Sequence, residues 1–150
     1  MNHEYRRDDY LICTDKARLN LDVIHNFLKD SYWAKEIPYD IVKKSVENSY
    51  CFGVYKNDEQ IGFARIVSDF ATFAYLADVF ILEEHQGKGL SKWLMECIMQ
   101  DPNLQNLRTF SLATWDAHSL YEKFGFKKID NPEKQMSISN INIYKEMNKK

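Results

Sequence analysis

The sequence predicts an α/β fold built on a mixed sheet. Three observations carry that reading. Apolar residues recur at helical spacing up to about residue 47, the spacing becomes strand-like from Tyr50 to Leu82, and helix and strand patterns then alternate toward the carboxyl end. A length of 150 residues suits one domain with a substantial core, as does an apolar fraction of 45% against 28% charged residues.

Tyr10 to Cys13 reads as a short first strand. Thr14 or Asp15 can cap a helix from Ala17 to Lys29, in which Leu21, Ile24, Phe27 and Leu28 share one face. Ser31-Tyr32-Trp33-Ala34 forms an aromatic loop, and Pro38 suits the first turn of a second helix carrying Ile41, Val42, Ser45 and Val46. Tyr50 to Lys56 and Gln60 to Ser68 pair across the turn Asn57-Asp58-Glu59. Phe73 to Leu82 is long, mostly apolar and without clean alternation, which predicts a central strand buried on both faces. Leu90, Trp93, Leu94, Cys97 and Ile98 mark an amphipathic helix from Gly87 to Gln100, stopped by Asp101-Pro102. Arg108 to Thr114 follows as a strand. Asp116 is expected to cap a short helix ending near Phe124, with Gly125 at the left-handed position after it. Closing strands are expected near Phe126 to Ile129 and Met136 to Tyr144, leaving a frayed polar tail to Lys150.

Composition excludes several classes. Twenty Lys and Arg against 22 Asp and Glu give a net charge of −2, not the clustered cationic face that nucleic acid demands. No apolar run approaches the ~18 residues of a membrane-spanning helix. Met1 to Tyr10 lacks the apolar stretch of a secretory signal, and the cysteine usage points to the cytoplasm. Cys13, Cys51 and Cys97 are odd in number, far apart and set in apolar runs, as buried free thiols are. No His, Cys and carboxylate group has metal-ligand spacing, and no GxSxG elbow is present.

Two of only five glycines stand together in Gln86-Gly87-Lys88-Gly89-Leu90-Ser91, between an apolar strand and an amphipathic helix. Without Cβ atoms the backbone there can turn successive N–H groups onto one anion, and the helix start adds unpaired N–H groups and a positive dipole end. The stretch lacks the GxxxxGK[ST] of a Walker loop, and Lys92 occupies the third glycine position of GxGxxG. A phosphate-binding turn and a plain strand-to-helix turn both remain open on these residues alone.

The same stretch fits the pattern Q/R-x-x-G-x-G/A, with Gln86 first, Gly89 fourth and Ser91 at the sixth place, where Gly or Ala is usual. Val79-Phe80-Ile81 precedes it, and Thr114 to Phe126 carries Tyr121 shortly before Gly125-Phe126. In these features the chain resembles the GNAT N-acetyltransferase superfamily over about residues 50 to 130. Thr14-Asp15, Ser31 to Ala34, Gly62-Phe63-Ala64-Arg65 and Leu76 to Phe80 are similar to a small, poorly characterised bacterial branch of it. The resemblance implies a mixed, mostly antiparallel central sheet of six to seven strands flanked by helices. It also implies transfer of an acetyl group from acetyl-CoA to an amine of a small molecule or peptide, by a monomer or homodimer acting with neither nucleic acid nor membrane.

The implied roles fall on particular residues. Backbone N–H groups of Gln86, Gly87, Lys88, Gly89, Leu90 and Ser91 would hold the CoA pyrophosphate, with Asp116 and His118 also on the coenzyme side. The pantetheine arm would lie along Val79, Phe80 and Ile81 like an added strand, in a gap beside the strand ending at Thr114. The Val79 or Phe80 N–H would stabilise the oxyanion. Tyr121 holds the family position of the acid that protonates the leaving thiolate. Asp78 would take or orient the amine proton, or else hydrogen-bond a neighbouring loop. Tyr32, Trp33, Arg65 and Trp115 would line the acceptor pocket, or else pack at its rim; aromatic walls receive cations and planar groups, and an Arg can hold a carboxylate. A CoA-binding sensor with little catalysis, and transfer of another acyl group or to oxygen, are the alternatives.

Overall fold

In the computed structural model, which describes residues 1–149, six strands lie side by side in chain order. They are β1 (Glu4–Arg7), β2 (Tyr10–Cys13), β3 (Tyr50–Lys56), β4 (Glu59–Ser68), β5 (Phe73–Ile81) and β6 (Thr109–Leu112). Every neighbouring pair is antiparallel except β5 with β6, which run parallel. Parallel neighbours need a long crossover, and α3 (Leu90–Met99) lies within it. The predicted mixed, mostly antiparallel sheet is therefore present, with six strands.

Each face of the sheet buries a separate core. On one, Phe52, Val54, Ala64, Ile66, Ala74 and Leu76 pack with Leu90, Trp93, Leu94, Cys97 and Ile98 of α3. On the other, Cys51, Phe63 and Phe80 pack with Ile24 and Leu28 of α1 (Leu21–Leu28) and Val42 and Val46 of α2 (Tyr39–Glu47). All three cysteines are buried free thiols.

β5 is next to an edge, not central, and its irregular pattern has a local cause. Phe63 pairs with Phe80 and Arg65 with Ala77, so Ala64 alone faces both Asp78 and Val79. This is a β-bulge, with Asp78 in the left-handed region at φ 56°. The extra residue reverses the alternation: Ala74 and Leu76 face α3, whereas Phe80 faces α1 and α2. Ahead of the bulge the strand alternates normally, and Phe73 and Tyr75 are exposed.

Four other expectations are corrected. A strand precedes Tyr10, because β1 pairs with β2 from Glu4↔Cys13 to Arg7↔Tyr10. The single helix from Ala17 to Lys29 is divided. Asp15 caps only a 3-10 turn at Lys16–Arg18, and Asn20 Oδ1 accepts the N–H groups of Asp22 and Val23 to start α1. Asp116 caps nothing: Thr114 Oγ1 accepts the N–H groups of Asp116 and Ala117, and α4 spans His118–Glu122. Gly125 does take the left-handed position after α4, at φ 95°.

The fourth correction concerns the closing strands, neither of which forms. Pro132 removes a ladder donor, and Asn140 Oδ1 accepts the Asn142 N–H, so local turns compete with pairing. Met136, Ile138 and Ile141 stand in solvent. The tail is pinned rather than frayed. α5 (Ile143–Met147) sets Tyr144 against the α1/α2 core, and Asn148 donates to the Glu36 carbonyl at 2.8 Å. Lys150, expected in that tail, lies outside the described residues.

Candidate active site

The turn after β5 has the form its glycines require. Gly87 and Gly89 sit at φ 81° and 76°, and no atom lies within 4 Å of where a Cβ would stand. Conformation, not crowding, therefore selects glycine, and the approach to the backbone is open. The N–H groups of Gly89, Leu90, Ser91 and Lys92 have no acceptor among the described residues, while Trp93 N–H begins the helix by donating to Gly89 O. Four free donors at the start of a ten-residue helix can take a phosphate. Gln86 is a brace: its N–H donates to Glu83 O and its Nε2 donates to Ile81 O at 2.9 Å, joining the end of β5 to the turn.

β5 and β6 part company ahead of this turn. Their pairing runs from Phe73↔Thr109 to Leu76↔Leu112 and stops. The β6-facing edge of Ala77 to Ile81 thus has no strand partner, and the bulge lies within that open stretch. This is the gap the sequence could not reveal, because strand divergence leaves no periodic mark.

Four polar side chains meet at the bulge, on the α1/α2 face. Asp78 Oδ1 accepts from Trp33 Nε1 at 2.8 Å, and Oδ2 accepts from Arg65 Nε at 2.7 Å. Arg65 also donates to Ser49 Oγ at 3.1 Å. A left-handed L-residue costs about 1–2 kcal/mol, least for Asp and Asn, and the two strong hydrogen bonds offset it. Trp33 leaves the loop after α1 and packs beside Phe27 and Tyr32. Phe27 in turn stacks on Phe80, with ring centroids 4.1 Å apart and 9° between planes. Trp33, Arg65 and Asp78 were each expected near the site. Ser49 and Phe27 were not, since a Ser at a helix exit and a Phe on an apolar helix face carry no distinguishing signal. An Asp inside an apolar strand did carry one, because strands are depleted of Asp and a bulge tolerates it.

Tyr121 lies on α4. Its side chain packs in the α3 core, edge-on to Phe126, and its hydroxyl has no hydrogen-bond partner among the described residues. Burial pushes its phenol above the ordinary range, and the nearby Tyr32 phenol and Asp116 carboxylate push it the same way. His118 and Asp116 are exposed, and Trp115 projects into solvent at 82% exposure, without the packing a preformed pocket wall shows. A cavity of about 810 Å³ lies elsewhere, between the start of α1 and the β3–β4 turn, and contains none of the expected site residues. No group of metal-ligating side chains occurs among the described residues.

Known proteins resemble this chain in sequence and in fold. The family model for the acetyltransferase (GNAT) domain matches residues 47–128. A protein of Gibberella zeae called "Putative acetyltransferase FG08082" is 33% identical over 140 residues, covering 79% of each chain. The crystal structure of xcc2953 from Xanthomonas campestris pv. campestris, described as belonging to the GNAT family, superposes with a TM-score of 0.88. It is 46% identical, over 90% of this chain and 96% of that one. A GNAT family acetyltransferase from Elizabethkingia anophelis, solved with acetyl-CoA bound, shares the fold at a TM-score of 0.63 and 16% identity, over 83% of this chain and 80% of that one. The family model spans the glycine turn and more than half of the sequence, and relatives agree with it in sequence and in fold: the chain belongs to the GNAT acetyltransferases.

Proposed function

We propose that the protein transfers an acetyl group from acetyl-CoA to a primary amine of a small molecule or peptide. One observation carries this reading. The unpaired edge of Ala77–Ile81 leads through the glycine turn to the free N–H groups at Gly89–Lys92, and Tyr121 packs in the same core as Ile81 and Leu90. A thioester on a long amide-bearing arm fits this edge and turn: the arm pairs with the strand edge and the pyrophosphate sits at the helix start. The acetyl-CoA-bound relative of the same fold supports the choice of coenzyme.

The chemistry then falls to few groups. The Val79 N–H receives the charge that develops on the carbonyl oxygen as nitrogen attacks, since Phe80 pairs with Phe63 in the register that turns the Leu82 N–H onto Ile61 O and so directs its own N–H at β4. Carbon–nitrogen bond formation is followed by carbon–sulfur cleavage, and Tyr121 gives its proton to the leaving sulfur. A phenol at ~10 can protonate a thiolate whose ordinary value is ~8.5 only if it stands neutral beside it, and burial keeps Tyr121 neutral. Water carries the amine proton back to the tyrosine. Asp78 is left to structure, since each of its oxygens already accepts a strong hydrogen bond.

Thermal shift with acetyl-CoA and with CoA, followed by thiol release against a panel of primary amines, tests the reading. Stabilisation by both, with thiol release for some acceptors, is expected. Stabilisation without turnover on any amine would make the protein a CoA-responsive binding module instead.

A further inference from the structure

We propose that Trp33, Asp78 and Arg65 form a latch that ties the bulge of β5 to the loop after α1, so that this loop sets the aim of the Val79 N–H group. The inference rests on the acetyltransfer reading and goes beyond it, giving three side chains a positioning role in place of direct contact with the reacting atoms.

The bulge needs holding. Asp78 at φ 56° is the one left-handed residue inside β5. Its relaxation to extended backbone would remove the extra residue and reverse the faces of Val79, Phe80 and Ile81. Two donors oppose that change from different elements, Trp33 Nε1 from the loop and Arg65 Nε from β4. Neither donor is loose. Ser49 Oγ accepts from Arg65, while Phe27 and Tyr32 flank the indole. The loop itself is closed by Ala34 N–H to Ser31 Oγ at 3.1 Å and Glu36 N–H to Lys29 O at 2.8 Å.

A second anchor reaches the same stretch. Phe27, on the last turn of α1, stacks on Phe80. Val79 therefore lies between two residues, one gripped at its carboxylate and the other at its ring, both held by α1 and the loop that follows it. Trp33 is 42% exposed, so part of its ring remains free to meet an acceptor while its N–H is committed to Asp78. Contact on the acceptor side and the aim of the oxyanion donor share one side chain.

The test reads the thioester itself and needs no acceptor. Acetyl-CoA labelled with ¹³C at the carbonyl is bound to the full chain and followed by isotope-edited infrared spectroscopy, with Trp33→Phe and Asp78→Gly as variants. Trp33→Phe keeps an aromatic ring and loses only the donor. Asp78→Gly suits a left-handed backbone and loses only the carboxylate, so a plain need for positive φ is still met. In the wild type the carbonyl band should lie below that of free acetyl-CoA, and in both variants it should move back toward the free position and broaden. Calorimetric affinity for CoA, which lacks the carbonyl, should not change. Affinity for acetyl-CoA should fall by no more than about tenfold, the worth of one neutral hydrogen bond. A band that stays at the wild-type position in folded variants overturns the latch alone, as does a wild-type band that is not displaced. If Asp78→Gly does not fold, Trp33→Phe decides. A wild type that binds neither acetyl-CoA nor CoA overturns the acetyltransfer reading, and the latch with it.

Discussion

Tyr121 combines two properties that a proton donor to a leaving thiolate needs. It is buried against Phe126 and the α3 core, and its hydroxyl is not spent on another protein group. Burial raises its pKa, with Tyr32 and Asp116 adding to the shift. The sign follows from the form required. In the proposed reaction the neutral phenol is the acid, so a raised pKa would extend the active form to higher pH. The alkaline fall in kcat is therefore expected above the ordinary phenol value of ~10, with no loss through the range where a free thiol titrates. Tyr121→Phe should lower kcat by about 10²–10⁴-fold, the usual worth of general acid catalysis, and leave acetyl-CoA affinity nearly unchanged. Full activity in that variant would remove Tyr121 from the proton path.

At the scale of elements, the start of α3 and the β4–β5 hairpin make separable predictions. Gly89→Ala places a Cβ at φ 76°, where there is room but an unfavourable conformation, at a cost of about 1–2 kcal/mol. The turn should relax, and affinity for CoA and acetyl-CoA should fall together; latch variants should touch acetyl-CoA alone. Calorimetry with both ligands separates the two, and unequal losses in Gly89→Ala would contradict a shared phosphate grip. The hairpin is closed by Asp69, which accepts the Thr72, Ala71 and Phe73 N–H groups and the Thr72 hydroxyl. Those bonds, the Thr72 N–H first, hold its carboxyl well below the usual range. A depressed folded-state pKa contributes stability above the unfolded value of ~3.9 that is lost as pH falls below it. The Tm of Asp69→Asn should therefore depend less on pH than the wild type's below about pH 4, and parallel curves would exclude the contribution.

These elements also show what a sequence can reveal and what it hides. β3 was legible to the residue and β4 and β5 nearly so, because a half-buried strand writes its period into the chain. The face of α3 was legible for the same reason. The bulge appeared only as broken alternation in Phe73 to Leu82 and was mistaken for burial on both faces. Of the candidate site, the glycine turn and the residues Trp33, Arg65, Asp78 and Tyr121 stand out in the sequence as residues. Their connections do not, since a hydrogen bond spanning 45 positions, as from Trp33 to Asp78, depends on how two distant elements pack. Met136 to Tyr144 failed in the opposite direction: its alternation is that of a strand, but Pro and Asn chemistry and the absence of a partner decide its form.

For the molecule as a whole, that last segment divides the chain into a part that carries stability and a part that does not. The α3 core is completed by residues no later than Phe126, and the α1/α2 core takes only Tyr144 from beyond it. Residues 127–142 lie outside both cores and are exposed throughout, including Met136, Ile138 and Ile141. A stretch with so little burial opens locally without cost to the rest, and proteases cut where backbone opens. Trypsin at low ratio should therefore cut first after Lys127, Lys128 or Lys134, all exposed, and not within β3–β5 or α3. The nicked protein should still unfold in one cooperative transition, with the Tm lowered by only a few degrees, because about 1 kcal/mol shifts a domain of this size by ~2–4 °C. Mass spectrometry of the earliest fragments and calorimetry of the nicked species read the two halves of the prediction. Early cleavage within the sheet, or loss of the cooperative transition after nicking, would mean that the segment holds the cores together in a way its exposure does not disclose.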